Sequence, residues 1–348
     1  MEAPILFAGG TGIVGREAVR AFRERHPSMP ILIGGRDLAR AQTLASEVGN
    51  ASAIRIDIDR PRLGLGEADR LGAVVMTVPD EGLNGLVPAQ DLGIPYLSMG
   101  NWLVEVGAEM AHFIRRPDAS PVVLASHWHG GPAVFLTQVA TADMDVVHSV
   151  AVGAVVDERD ATGPAAVADM ERGAEGGSGV WAFEDGRRVW LTGAAATREF
   201  RTLDGRALQG RAFSPYDIVS LQAMTRARSV RFDLATAESS NRSRGGSVAT
   251  ELIVEIEGEL GGRPMRRRVT LEFGKGQAAL TGLGGALALS TVLGLEGRPA
   301  YPPGLYFPER LMEADWYLSA LKAAGAVIDL GEHDPSGPNR ATTQEQGA

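Results

Sequence analysis

The chain has 348 residues, 44% hydrophobic and 22% charged, with a formal net charge of −9. That length exceeds what one compact core usually encloses, so two domains are expected. The acidic balance argues against nucleic acid as a partner, and the absence of cysteine removes disulfides, thiolate metal sites and thiol nucleophiles, including any dehydrogenase working through a thiohemiacetal.

The N-terminus MEAPILFAGG has no basic region before its apolar run, so no secretory signal is expected. Strands are expected at 4–8, 31–35, 53–58, 73–78, 95–99 and 121–126, each short, apolar and bounded by turn residues. Helices are expected between them at 16–26, 37–49, 82–93 and 102–116. This alternation predicts an α/β architecture: an N-terminal Rossmann-type, doubly wound parallel sheet over residues 1–130.

A helix at 133–144 leads onward, and the pattern then changes. Strands at 146–156, 188–193, 229–237, 249–260 and 266–274 alternate polar with apolar, as an antiparallel sheet does. Val269, Leu271 and Phe273 would face one way and Arg268, Thr270 and Glu272 the other. GELGGRP (258–264) reads as a hairpin turn. A Gly-rich helix at 278–294 is too weakly apolar for a membrane span, so no membrane partner is expected and the protein reads as cytoplasmic. Residues 131–300 thus form a second α+β domain for substrate binding and dimerisation, with a homodimer expected through its sheet. The segment 301–330, a Pro- and aromatic-rich crossing followed by a helix at 313–325 and a strand at 326–330, is expected to pack back onto the first domain. Residues 331–348 have little to bury and read as a disordered tail.

The strongest chemical signal is AGGTGIVG at 8–15, between the first strand and the first helix. Gly10 suits the tight turn, Gly12 lets a diphosphate reach the backbone, and Gly15 lets the helix pack on the sheet; Gly9, Thr11, Ile13 and Val14 complete the loop. The second strand ends at Gly34 and Gly35 followed by Arg36, with no carboxylate for a ribose 2′-OH. A guanidinium there suits a 2′-phosphate, so the expected cofactor is NADP(H). Asp57, near the third strand's end, could meet the adenine edge or simply cap the chain. Thr77, Val78 and Pro79 after the fourth strand, and Gly100 after the fifth, would line the crevice.

SHWHGGP (126–132) leaves the sixth strand at the same edge. His127 and His129, at i and i+2 with no acidic cluster nearby in sequence, make a poor metal pair, and no metal is expected. Either histidine, His129 ahead of His127, is a candidate acid/base. The competing reading makes them hinge residues, with Trp128 packed between domains. Tyr216, with Asp217, is a candidate cleft residue, although SPYD also reads as a surface turn. Arg226, Arg228 and Arg231 could hold a substrate carboxylate or form a solvated face.

GGTGIVG, ILIGGRDLARAQTLASEVG, the exit into HGGPAVFL and the PERLMEADWYLSALKAAGAVI end together resemble the saccharopine dehydrogenase-like (saccharopine reductase) family of NADP-binding oxidoreductases. The resemblance implies reduction of an imine, or oxidation of a secondary amine, on an amino-acid-derived small molecule. It also implies that Gly130, Gly131 and Pro132 form the turn into the second domain. The HWH triplet and the short second domain depart from that pattern. The alternatives are a short-chain-type carbonyl reductase, for which no Tyr-x-x-x-Lys pair is present, and a non-catalytic NADP-binding sensor or scaffold.

Overall fold

The computed structural model describes residues 3–66, 70–100, 103, 105–161, 163 and 180–331. At its centre is β1 (Ile5–Ala8), four apolar residues buried on both faces. It pairs in parallel with β2 (Ile31–Gly35) on one side and β4 (Ala73–Met76) on the other. Beyond these lie β3 (Ala51–Arg55), β5 (Tyr96–Ser98) and β6 (Pro121–Leu124). A late strand, β15 (Gly304–Tyr306), adds in parallel beside β6. The order β15-β6-β5-β4-β1-β2-β3 is a doubly wound parallel sheet whose strand order reverses at β1/β4.

Helices α1 (Ile13–Arg25) and α2 (Leu38–Val48) cover one face of this sheet. α1 starts three residues before the expected position 16, because the end of the glycine loop itself enters the helix. β3 ends at Arg55 rather than 58. There the Asp57 carboxylate accepts the Asp59 N–H at 3.1 Å and turns the chain out of the sheet. Helix Leu86–Leu92 begins after the expected 82, where buried Asp80 accepts the Gly85 and Leu86 N–H groups.

The second sheet is mixed and mostly antiparallel. Its strands are β7 (Val146–Asp157), β8 (Val180–Glu184), β9 (Arg187–Leu191), β10 (Thr197–Arg201), β11 (Ala207–Ala212), β12 (Ser229–Ala237), β13 (Thr250–Leu260), β14 (Arg263–Phe273) and β16 (Ala326–Asp329). They run β10-β11-β12-β7-β13-β14-β16, with the β8–β9 hairpin attached to β12. β12 and β7 run parallel. One face, carrying Val269, Leu271 and Phe273, is buried with helices Pro132–Ala140 and Gly276–Val292 in the main core. The other face is largely charged: Arg198 binds Asp233 and Glu255, and Arg231 also pairs with Asp233. Its apolar patch of Val155, Ala235 and Ile253 is covered by Phe200 of β10.

Strands β8, β10, β11 and β15, and helix Asp217–Thr225, go beyond the expected elements. The chain after 301 divides: β15 joins the parallel sheet and β16 joins the second one. Residues 332–348, expected as a tail, lie outside the described residues. Among the described residues no helix is long and apolar enough to cross a membrane.

Candidate functional site

The glycine loop stands at the carboxyl end of β1. Gly9 adopts φ +80°, and a Cβ there would lie 2.6 Å from Val78 Cγ1. The Gly12 N–H donates to Gly9 O at 2.8 Å, closing the turn. Gly12 caps α1 without a side chain, and no acidic residue stands in the first turn. The positive end of α1 is therefore not neutralised by its own residues. A Cβ on Gly15 would overlap Gly9 O and come within 2.7 Å of Thr77 Oγ1. Thr77 in turn donates from Oγ1 to Ala8 O at 2.9 Å. Gly100 packs on the Val78–Pro79 backbone, so the exits of β1, β4 and β5 form one surface.

The β2 exit matches this geometry. Gly35 lies against Thr11, whose Oγ1 would be 3.0 Å from a Cβ at that position. Arg36 is exposed, and among the described residues no ion pair or hydrogen bond engages its guanidinium. Asp37 caps α2 by accepting the Arg40 N–H at 3.1 Å. Asp57 is exposed, and its carboxylate takes part in the turn described above. From the second domain, Gly163 rests 3.7 Å from Ile13 by the same Cβ construction.

The turn SHWHGGP forms a short 3-10 segment, Trp128–Gly130, before helix Pro132–Ala140. His129, Gly130 and Gly131 all have positive φ, at 51°, 84° and 92°. For His129 that conformation is strained and needs outside support. The support comes from several elements. The Asp217 carboxylate accepts the Trp128 N–H at 2.7 Å. Tyr317 donates its O–H to Gly130 O at 2.9 Å. Thr250 Oγ1 meets His129 Nδ1 at 3.1 Å. A Cβ on Gly130 would sit 2.9 Å from Gly284 Cα, so helix Gly276–Val292 closes directly on this turn.

The two histidines diverge. His127 is buried and shares a 2.8 Å hydrogen bond with Ser220 Oγ, with Glu309 Oε2 at 3.6 Å. His129 stacks on Trp128 with ring centroids 4.4 Å apart. Burial pushes the His129 imidazole down to about 3, opposed by a hydrogen bond that the ring donates to Gln277. The ring is thus neutral at ordinary pH. Burial pushes the Asp217 carboxyl up to about 6, moderated by the charge of His127 and by the Trp128 N–H.

Tyr216 does not lie in a surface turn. It is buried in the apolar layer formed by Leu124, Phe113 and Phe307. Burial raises its phenol well above the usual tyrosine range. Asp217, Glu309, Thr250 and Gln277 were not singled out for this turn from sequence. They reach it from distant segments; the helical spacing of Ile218, Leu221 and Met224, which was not read as a helix from sequence, is the one local signal of the element that carries Asp217. Of the cationic run, Arg226 ends that helix, Arg228 is exposed 3.7 Å from Asp185, and Arg231 forks onto Asp233. Among the described residues no group of three metal-ligating side chains comes together.

No family model matches this chain, and no curated protein matches it by sequence. Solved structures do match in fold. Apo saccharopine dehydrogenase (L-Glu forming) from Saccharomyces cerevisiae superposes with a TM-score of 0.63 at 14% identity, covering 94% of this chain and all (100%) of that one. GenD2 from gentamicin A biosynthesis, in complex with NAD, gives 0.48 at 15% identity over 94% and 96% of the two chains. A myo-inositol dehydrogenase from Corynebacterium glutamicum gives 0.45 at 12% identity over 94% and 99%. The chain therefore shares the two-domain fold of the yeast saccharopine dehydrogenase, in agreement with the resemblance carried by its motifs.

Proposed function

We propose that this protein is an NADP(H)-dependent oxidoreductase acting on a C=N or CH–NH bond of an amino-acid-derived small molecule. The observation that carries the reading is the loop Gly9–Gly15. It leaves the start of α1 open to an anion, and a side chain at Gly9 or Gly15 would collide with Val78, Thr77 or the loop itself. These residues fit the diphosphate of a dinucleotide. The preference for a 2′-phosphate rests on Arg36, free of any carboxylate partner at the β2 exit. When bound, the cofactor supplies or accepts hydride at the reacting carbon.

In the reducing direction one hydride reaches carbon, one proton reaches nitrogen, and oxidised cofactor leaves. An iminium substrate brings its own proton. The neutral state of His129 suits that case, because an uncharged imidazole can orient the substrate as a hydrogen-bond partner. His127 would act through the hinge, beside Ser220 and Glu309. Tyr216, buried beyond His127, would likewise support the turn.

One observation favours a second reading, a non-catalytic NADP sensor: both histidines are buried, and His129 is neutral at ordinary pH. Steady-state assays with NADPH and paired 2-oxo acids and amines separate the two. The enzyme reading predicts turnover that Arg36→Glu slows at least ten-fold with NADPH but not with NADH. Tight NADPH binding without turnover on any pair would favour the sensor. A homodimer through the second-domain sheet belongs to the same proposal, although the outer face is largely charged rather than the apolar surface that would require a partner, and its charges are paired within the chain. Light scattering at the mass of one chain would refute it.

A further inference from the structure

Beside the SHWHGGP turn the half-buried rings of Trp128 and Phe213 gather on the second-domain side, and a second half-buried pair, Trp181 and Phe183, stands on β8. Trp128 meets Phe213 edge-on with ring centroids 5.1 Å apart. Both surround the buried ring of Phe232, at 5.9 Å and 6.3 Å. Trp181 of β8 is tied to the residue after Phe213, donating its N–H to Ser214 Oγ at 3.0 Å and accepting that hydroxyl at its own carbonyl. Phe183 packs edge-on against Trp181 at 5.5 Å, and β8 lies against β12 through Phe183 and Val230. The wall is therefore built on fixed strands, with its inner member on the exit of β6.

Two further features bear on what it holds. The indole Nε1–H of Trp128 is buried and has no hydrogen-bond partner among the described residues. A buried tryptophan N–H ordinarily has an acceptor, so this one points to an oxygen or nitrogen supplied from outside the chain. The cations next in sequence are turned away: Arg231, beside Phe232 in β12, and Arg198 pair with Asp233 and Glu255 on the opposite face of the sheet. A second substrate carboxylate would find aromatic faces here rather than an unpaired guanidinium.

The geometry points to a substrate that carries an aryl or bulky apolar group, seated against Trp128, Phe213 and Trp181, with one acceptor atom for the Trp128 indole N–H. This deepens the oxidoreductase reading and rests on it for the identity of the site. It narrows the amino-acid-derived substrate to one whose second arm is apolar rather than acidic.

The test uses N-benzylglycine and its para-carboxybenzyl analogue, which adds one carboxylate to the ring, titrated calorimetrically into the full chain with and without saturating NADP+. The expected result is binding of N-benzylglycine at least ten-fold tighter than its analogue, with a ten-fold or greater loss in Phe213→Ala and a partial loss in Phe213→Leu. Folding of each variant is checked by its melting curve. Equal or tighter binding of the carboxylated analogue, indifference to Phe213→Ala in a folded variant, or no binding of N-benzylglycine would overturn the proposal. If NADP+ gives no heat while N-benzylglycine still binds in a Phe213-dependent way, the cofactor reading fails and the aromatic pocket stands.

Discussion

Gly12 and Gly15 stand three residues apart and do different work. A methyl on Gly15 would strike Gly9 O and Thr77 Oγ1, whereas on Gly12 it would come only within 3.2 Å of Gly9 O. Gly15→Ala should therefore destabilise the fold by about 1–3 kcal/mol, read from urea denaturation. Gly12→Ala should leave stability nearly unchanged and still weaken dinucleotide binding at least ten-fold, about 1.4 kcal/mol, because its methyl would stand at the open start of α1, where the diphosphate is proposed to bind. His129 and Asp217 form a second contrast at this scale. The His129 value falls from 6.5 to about 3 on folding, so the unfolded chain binds the extra proton and stability is lost as pH drops from 6.5 towards 3. The Asp217 value rises from 3.8 to about 6, so its contribution is present below 3.8 and lost as pH rises through 6. The two slopes oppose one another between about 4 and 6. Asp217→Asn should expose the histidine's slope, up to ~1.4 kcal/mol per pH unit, in denaturation midpoints across that window. An unchanged slope would contradict the assignment.

At the level of elements, the turn Trp128–Gly131 owes its shape to what surrounds it. Tyr317 reaches it from the last long helix and donates to Gly130 O from a fully buried position. Tyr317→Phe leaves that carbonyl without this donor and should cost about 1–3 kcal/mol by chemical denaturation. These partners explain why the turn was only half legible in sequence. The glycine pair announced a tight turn before a helix, and the loop 8–15 announced its own role because strand, glycines and helix are contiguous. Asp217, Thr250 and Tyr317 are separated from the turn by long stretches of chain, and no local periodicity ties them to it. Strands β10 and β11 escaped notice for a related reason. TREFR and ALQGRA have few apolar residues, and antiparallel pairing with each other and with β12 holds them in place. β15 is a three-residue strand within a Pro-rich crossing, and its partner β6 lies far upstream.

On the scale of the whole molecule, the chain crosses between two sheets and returns to both. β6 leads through the SHWHGGP turn into the second domain, while β15 comes back beside β6 and β16 closes the edge at β14. Helix Gly276–Val292 is apolar along most of its length because α1 and the turn cover it. Glycine loop, SHWHGGP turn and aromatic cluster are thus parts of one packed arrangement, and the first of these is the proposed NADP(H) site. Isothermal titration of the folded chain with NADPH tests that site. One site per chain is expected, at least ten-fold weakened by Gly12→Ala and by Arg36→Glu. No heat with NADPH, NADP+ or NADH from a protein shown to be folded would contradict it.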